Sequence, residues 1–179
     1  MLTSHTTANG NVPVVTRRIE HSATYPFSAA QVHSALTSEQ YWRDRIAEVG
    51  GDGATLDEVT VGDGTVAVRM TQAIPAEHLP GVVTKIRPGD LFIKRSETWA
   101  GLNGDEATGT FAAEVQDAPA KISGTQKVSA QAEGARVDVS AEAVVKIPLV
   151  GGKIESAIAE QVMELIERER EFTQGWLAR

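Results

Sequence analysis

The chain has no cysteine among its 179 residues. That absence removes disulfides, thiolate nucleophiles and thiolate metal sites together. It fits a reducing compartment, so a cytoplasmic location is expected. A basic surplus is also missing, since 24 acidic side chains against 17 basic ones give a net charge of −7. Phosphate contacts need a positive face, so neither nucleic acid nor an anionic membrane is an expected partner. No run approaches the roughly 18 apolar residues of a membrane span, and the opening MLTSHTTANGNVPVVTRR has no apolar core of signal-peptide length. There is no GxGxxG, no Walker lysine loop and no GxSxG elbow, which leaves nucleotide binding and serine hydrolysis without their frames. The histidines at His5, His21, His33 and His78 form no helix-borne pair of the HExxH kind. Neither a metal nor another cofactor is expected.

What the sequence does contain is one long amphipathic stretch at its C-terminal end. From Lys153 to Leu177, the residues Ile154, Ile158, Val162, Leu165, Ile166, Phe172, Trp176 and Leu177 recur at three- and four-residue intervals, the spacing of a helix with one buried face. Nearly everything before it reads as short strands. The length suits one sizeable core, so we expect a loose tail over residues 1–13 and a single domain over residues 14–179.

A first strand is expected over Val14 to Thr24, closed by Tyr25 and Pro26. Ser28 and Gln31 then make a capping box with Phe27 positioned to staple onto Val32, and Thr37 to Gln40 repeats the device. Two short helices should follow, the second carrying Tyr41, Trp42, Ile46 and Val49 and ending at Gly50 and Gly51. Six more strands are expected at Leu56–Val61, Thr65–Ile74, Leu91–Trp99, Thr108–Val115, Lys121–Gln131 and Ala135–Ile147, separated by Gly- and Asp-bearing turns. Between the third and fourth, Leu79, Val82, Val83 and Ile86 have helical spacing, with Pro80 near the start and Pro88-Gly89 as a stop. They predict a short amphipathic helix over the mouth of the fold.

The fold class is therefore α+β, a seven-stranded curved antiparallel sheet wrapped around one long helix. In the last two strands the inward sets are Ile122, Gly124, Gln126, Val128 and Ala130, and Val137, Val139, Ala141, Ala143, Val145 and Ile147. Gly and Ala are frequent there. Interiors tolerate few voids, so small residues at this seam mean either a close helix or a cavity kept for a ligand.

This order, a strand, two short helices, six strands and a long helix, resembles the helix-grip fold of the START-like, birch-pollen-allergen-type superfamily over about Val14 to Leu177. More narrowly, His78-Leu-Pro80 with Pro88-Gly-Asp90, Glu97-Thr-Trp99, the segment Ile147 to Glu155 and the segment Phe172 to Trp176 are similar to an actinobacterial branch known only as a domain of unknown function. The wider resemblance implies an apolar or lipid-like ligand beneath the long helix, with a minority of members catalysing cyclisation or dehydration there. The branch supplies no catalytic motif. The glycine-rich loop of the allergen-type proteins is reduced here to Gly62-Asp63-Gly64, so no phosphate-binding role is carried over.

Candidate site residues come from the residue periods. On a helical wheel Glu169 falls at roughly 60° from Ile154, inside the apolar stripe. On the fourth strand Arg95 and Glu97 share the register of Ile93 and Trp99. Three charges should thus converge, with Arg95 bridging Glu97 or Glu169 and the remaining carboxylate free to orient a ligand. A purely structural ion pair is the alternative. Met70, Trp99 and Phe111 are expected either to line the cavity or to fill it, and Met163 is left out because the wheel puts it opposite the stripe. The run Glu167 to Glu171 otherwise reads as a solvated face. The turn Val150 to Lys153 can present N–H groups to an anion or simply make the bend into the helix.

Three functions fit these features. The leading one is a non-catalytic carrier or sensor of a small apolar molecule or lipid. The others are a protein-binding scaffold, which would have a filled interior, and a cyclase or dehydratase using the cavity carboxylates.

Overall fold

A computed structural model describes residues 15–146 and 151–179. The expected tail, Val14, and the stretch from Ile147 to Val150 lie outside the described residues. Seven antiparallel strands form one sheet in the order β1-β7-β6-β5-β4-β3-β2. These are β1 (Val15–Tyr25), β2 (Thr55–Gly62), β3 (Thr65–Ile74), β4 (Leu91–Trp99), β5 (Glu106–Val115), β6 (Ala120–Gln131) and β7 (Gly134–Val145). From β2 to β7 the chain meanders, each strand pairing with the next. By contrast, β1 pairs with β7 along its whole length, Val15 opposite Val145 and Tyr25 opposite Ala135.

That topology puts β1 and β2 at opposite edges, so the chain between them must cross the width of the sheet. Helices α1 (Ala29–Leu36) and α2 (Glu39–Val49) make this crossing. The first starts with the expected capping box: Gln31 donates its N–H to Ser28 Oγ at 3.2 Å, and the Gln31 side chain accepts from the Ser28 N–H at 2.9 Å. The second box does not form. Thr37 turns its hydroxyl back to the His33 carbonyl at 2.8 Å, closing α1, and Ser38 becomes the N-cap of α2 with no side-chain bond. Trp42 Nε1 donates to the Leu36 carbonyl at 2.8 Å, locking the corner.

The β2–β3 hairpin closes through Asp63 and Gly64 at φ 50° and 71°, the paired left-handed geometry of a type I′ turn. Between β3 and β4 the expected short helix forms, beginning two residues later than Leu79. A 3-10 turn covers Ala76–His78, Leu79 is extended, and α3 runs only over Gly81–Ile86. Pro80 sets that start, because it forces extended backbone on the residue before it. Helix α4 (Gly151–Leu177) then packs along the concave face. None of the described helices is long and apolar enough to cross a membrane.

Burial divides into separate clusters. One sits under α1 and α2 and joins Val32, Leu36, Tyr41, Trp42, Met70, Trp99, Val128 and Phe172. A second joins Ile19, Ala113, Ile122, Ala141 and Ala143 to Ile158, Val162 and Met163 of α4. A smaller third, Ala120 and Val145, meets Val82 of α3 and Ile158. A domain of this size ordinarily has one contiguous core, and its division here leaves space between sheet and helix.

Candidate ligand cavity

The space is a cavity of about 1220 Å³ lined by β1, β3–β7, α1–α4 and the turns around α3. That exceeds the 300–1,000 Å³ usual for small-molecule sites. Its walls are mainly apolar, with Ile93, Phe111, Val115, Ile122, Val139 and Val162 among them, and Leu79, Val83 and Ile86 line it on the α3 side. The small residues of the sheet serve two different ends. Ala113 and Ala120 line the cavity and leave it room. Gly124 does not; a Cβ there would come within 2.2 Å of the Ser140 carbonyl, so close backbone approach requires the glycine.

A charged group stands at the α2 end of this apolar space. Strand β4 alternates strictly, which turns Ile93, Arg95, Glu97 and Trp99 inward while Lys94, Ser96 and Thr98 face solvent. Arg95 Nη1 donates to Glu169 Oε1 of α4 at 2.8 Å and to Gln72 Oε1 of β3 at 2.9 Å, and Arg95 Nη2 lies 3.8 Å from Glu97 Oε2. From α2, Arg45 reaches the same carboxylates, with Nη2 2.5 Å from Glu169 Oε1 and 3.6 Å from Glu97 Oε2. The Arg45 guanidinium also stacks 4.6 Å from the centre of the Trp42 ring, a cation–π arrangement suited to arginine. Glu97 Oε1 accepts from Gln126 Nε2 at 2.8 Å and Trp99 Nε1 at 3.3 Å. The Glu97 and Arg45 side chains are only 4% and 7% exposed.

Burial penalises the charge on Glu169, but Arg45 and Arg95 outweigh it and bring its carboxyl from an ordinary 4.5 down to about 2. Burial likewise works against charge on Arg45, and Glu169 and Glu97 overcome it, raising its pKa. Both groups are ionised at neutral pH. Around them, Thr173 Oγ1 gives its one proton to the Glu169 carbonyl at 2.6 Å, so Tyr41 must be the donor in its 2.7 Å bond to Thr173. Burial pushes the Tyr41 phenol up and keeps it neutral. Among the described residues no group of His, Asp and Glu side chains is arranged to hold a metal.

Of the residues singled out in the sequence, Arg95, Glu97, Trp99, Phe111 and Glu169 lie on the cavity wall. Met70 does not. It is buried with Val68 and Trp99 in the cluster beneath the α1–α2 corner, and Gln72, two residues on along the same inward face of β3, reaches the wall instead. Met163 is on the wall despite its place on the wheel, since its unbranched side chain joins the Ile19 cluster beside the cavity. The expectation of one unpaired carboxylate is also corrected, because Arg45 supplies a second cation and both carboxylates are engaged. Arg45 follows Tyr41 by four residues and Trp42 by three, a helical spacing that places it on their buried face.

Known proteins share this architecture. The family model described as "Protein of unknown function (DUF2505)" matches residues 20–177. The uncharacterized protein Rv0481c of Mycobacterium tuberculosis is 37% identical over 168 residues, covering 90% of this chain and 97% of its own. Among solved structures, Ara h 8.0201 superposes with a TM-score of 0.57 at 14% identity, over 91% of this chain and 98% of that one. The STAR-related lipid transfer protein fragment from Xanthomonas axonopodis does so with a TM-score of 0.51 at 13% identity, over 94% and 98%. At such identities the likeness speaks for the fold alone. With a curved seven-stranded sheet gripping one long helix and a match over nearly its whole length, the chain belongs to the DUF2505 family and carries the helix-grip fold.

Proposed function

We propose that this protein is a non-catalytic carrier or sensor that binds a small, largely apolar molecule or lipid between its sheet and α4. The observation that carries this reading is the cavity of about 1220 Å³, with mainly apolar walls and a buried charged cluster at its α2 end. Empty apolar space of that size costs a fold its packing contacts, and a ligand restores them. The STAR-related lipid transfer protein, whose name states a lipid cargo, has the same fold. A protein-binding scaffold would gain nothing from such a hollow interior. Catalysis by the carboxylates is the weaker alternative: a general acid needs a proton near neutral pH, and Glu169 sits at about 2.

The test is native mass spectrometry of the protein purified from its own host, followed by denaturation and organic extraction. A stoichiometric apolar compound is the expected result. Protein that emerges with a clean apo mass, and that binds no member of a panel of apolar compounds by calorimetry, would overturn the proposal.

A further inference from the structure

Resting on that ligand-binding reading, we propose that the cavity selects ligands whose inner end is an uncharged oxygen group, a hydroxyl or carbonyl, and discriminates against free carboxylates and amines. Charge arithmetic comes first. Arg45 and Arg95 contribute two positive charges, Glu97 and Glu169 two negative ones, and all four side chains line the cavity within mutual contact. The cluster is neutral as it stands. A carboxylate or ammonium arriving at the cluster from water would lose its hydration and find no uncompensated partner among these four side chains, which makes its burial there unfavourable.

Hydrogen-bond capacity points the same way. Arginine has five N–H donors. Arg95 spends Nη1 on Glu169 and Gln72, and Arg45 directs Nη2 at the carboxylates. Arg45 Nε and Nη1, and Arg95 Nε, form no hydrogen bond to any described residue, and neither does Glu169 Oε2. None of these atoms is buried away from the cavity as an orphan; among the described residues the one such side-chain atom is His21 Nε2. The cluster therefore offers the cavity spare donors and a spare acceptor with no net charge. A hydroxyl, which both accepts and donates, matches that set, and a carbonyl matches the donors.

Position sets the orientation. Glu169 lies eleven residues beyond Ile158, which packs with Val82 of α3 against Ala120 and Val145, a separation of roughly 16 Å along the helix axis. The polar end of the ligand sits inside against the cluster, and its apolar body extends toward α3.

The experiment uses a neutral apolar dye, Nile red, bound to the full chain at neutral pH and displaced by dodecanol, methyl dodecanoate, dodecanoate and dodecylamine. The alcohol and ester should displace it about tenfold more tightly than the two ions. Changing the charge of the cluster should change the order: Glu169→Gln leaves it positive and brings dodecanoate forward, whereas Arg95→Gln leaves it negative and brings dodecylamine forward. Circular dichroism establishes that each variant is folded. Should one fail to fold, the other supplies the reversal, and if both fail the ranking on the native protein decides. Dodecanoate or dodecylamine binding best to the native protein, or folded variants that keep its ranking, would overturn the inference while leaving the cavity a ligand site. Failure of the dye and all four compounds to bind would overturn the ligand-binding reading, and this inference with it.

Discussion

Glu169 ties the fold to pH. Its carboxyl titrates near 4.5 in the unfolded chain and near 2 in the folded one, where Arg45 and Arg95 outweigh the cost of burial. The stability this contributes is complete above pH 4.5 and is lost as pH falls toward 2. By linkage it is on the order of 3 kcal/mol. Glu169→Gln should therefore destabilise the protein at neutral pH by about 3–5 kcal/mol, because it leaves buried guanidinium charge uncompensated. It should also lose less further stability than the native chain on acidification. Urea melts of both proteins at neutral pH and near pH 3 read the two quantities, and equal losses on acidification would sink the argument. Three members of this cluster were legible from period alone, since a period of two turns Arg95 and Glu97 inward and a wheel angle does the same for Glu169. Arg45 was not, because on a short helix a long cationic side chain can cover apolar neighbours and still reach water. Only tertiary structure, which brings α4 across α2, shows that its guanidinium stays inside.

The elements were legible where one residue type dictates the backbone. Asp63-Gly64 fixes the β2–β3 turn, and Thr65–Ile74 and Leu91–Trp99 form strands with the bounds that their alternation predicts. The short helix between them was legible too, with Pro80 near its start; it begins only at Gly81, so Leu79 falls outside it. Helix α4 is the element on which the rest depends. Tyr41 meets both Phe172 and Trp176 at ring centroids 5.5 Å apart, and Trp176 Nε1 donates to Asp44 Oδ2 at 3.0 Å, fastening the helix to α2. A chain ending at Gly152 would expose the whole concave face of the sheet and strand Arg45 and Arg95 without Glu169. It should show no cooperative thermal transition, and a native-like melt from it would contradict the helix-grip assignment. Phe172→Ala grades the same effect, with an expected loss of about 3–5 kcal/mol in urea unfolding. A loss under about 1 kcal/mol would mean that the aromatic contact does not hold α4 in place.

On the scale of the whole molecule, the arrangement of strands and helices follows from the order of segments, but the hollow interior does not. Small inward residues mark both close backbone approach, as at Gly124, and open space, as at Ala113 and Ala120; the two look alike until the sheet's curvature is known. The consequence is thermodynamic. Anything that binds the folded chain alone stabilises it, by about 2.7 kcal/mol at a hundred times its dissociation constant. For a domain of this size that corresponds to roughly 5–11 °C in melting temperature. A compound found to bind should raise the melting temperature by that amount at such an excess. Ala113→Phe, which narrows the cavity from the β5 wall, should abolish the rise without unfolding the protein, because Ala113 lines the cavity and the added ring can extend into it. A folded Ala113→Phe protein that still gained the full shift would place the binding compound outside this cavity.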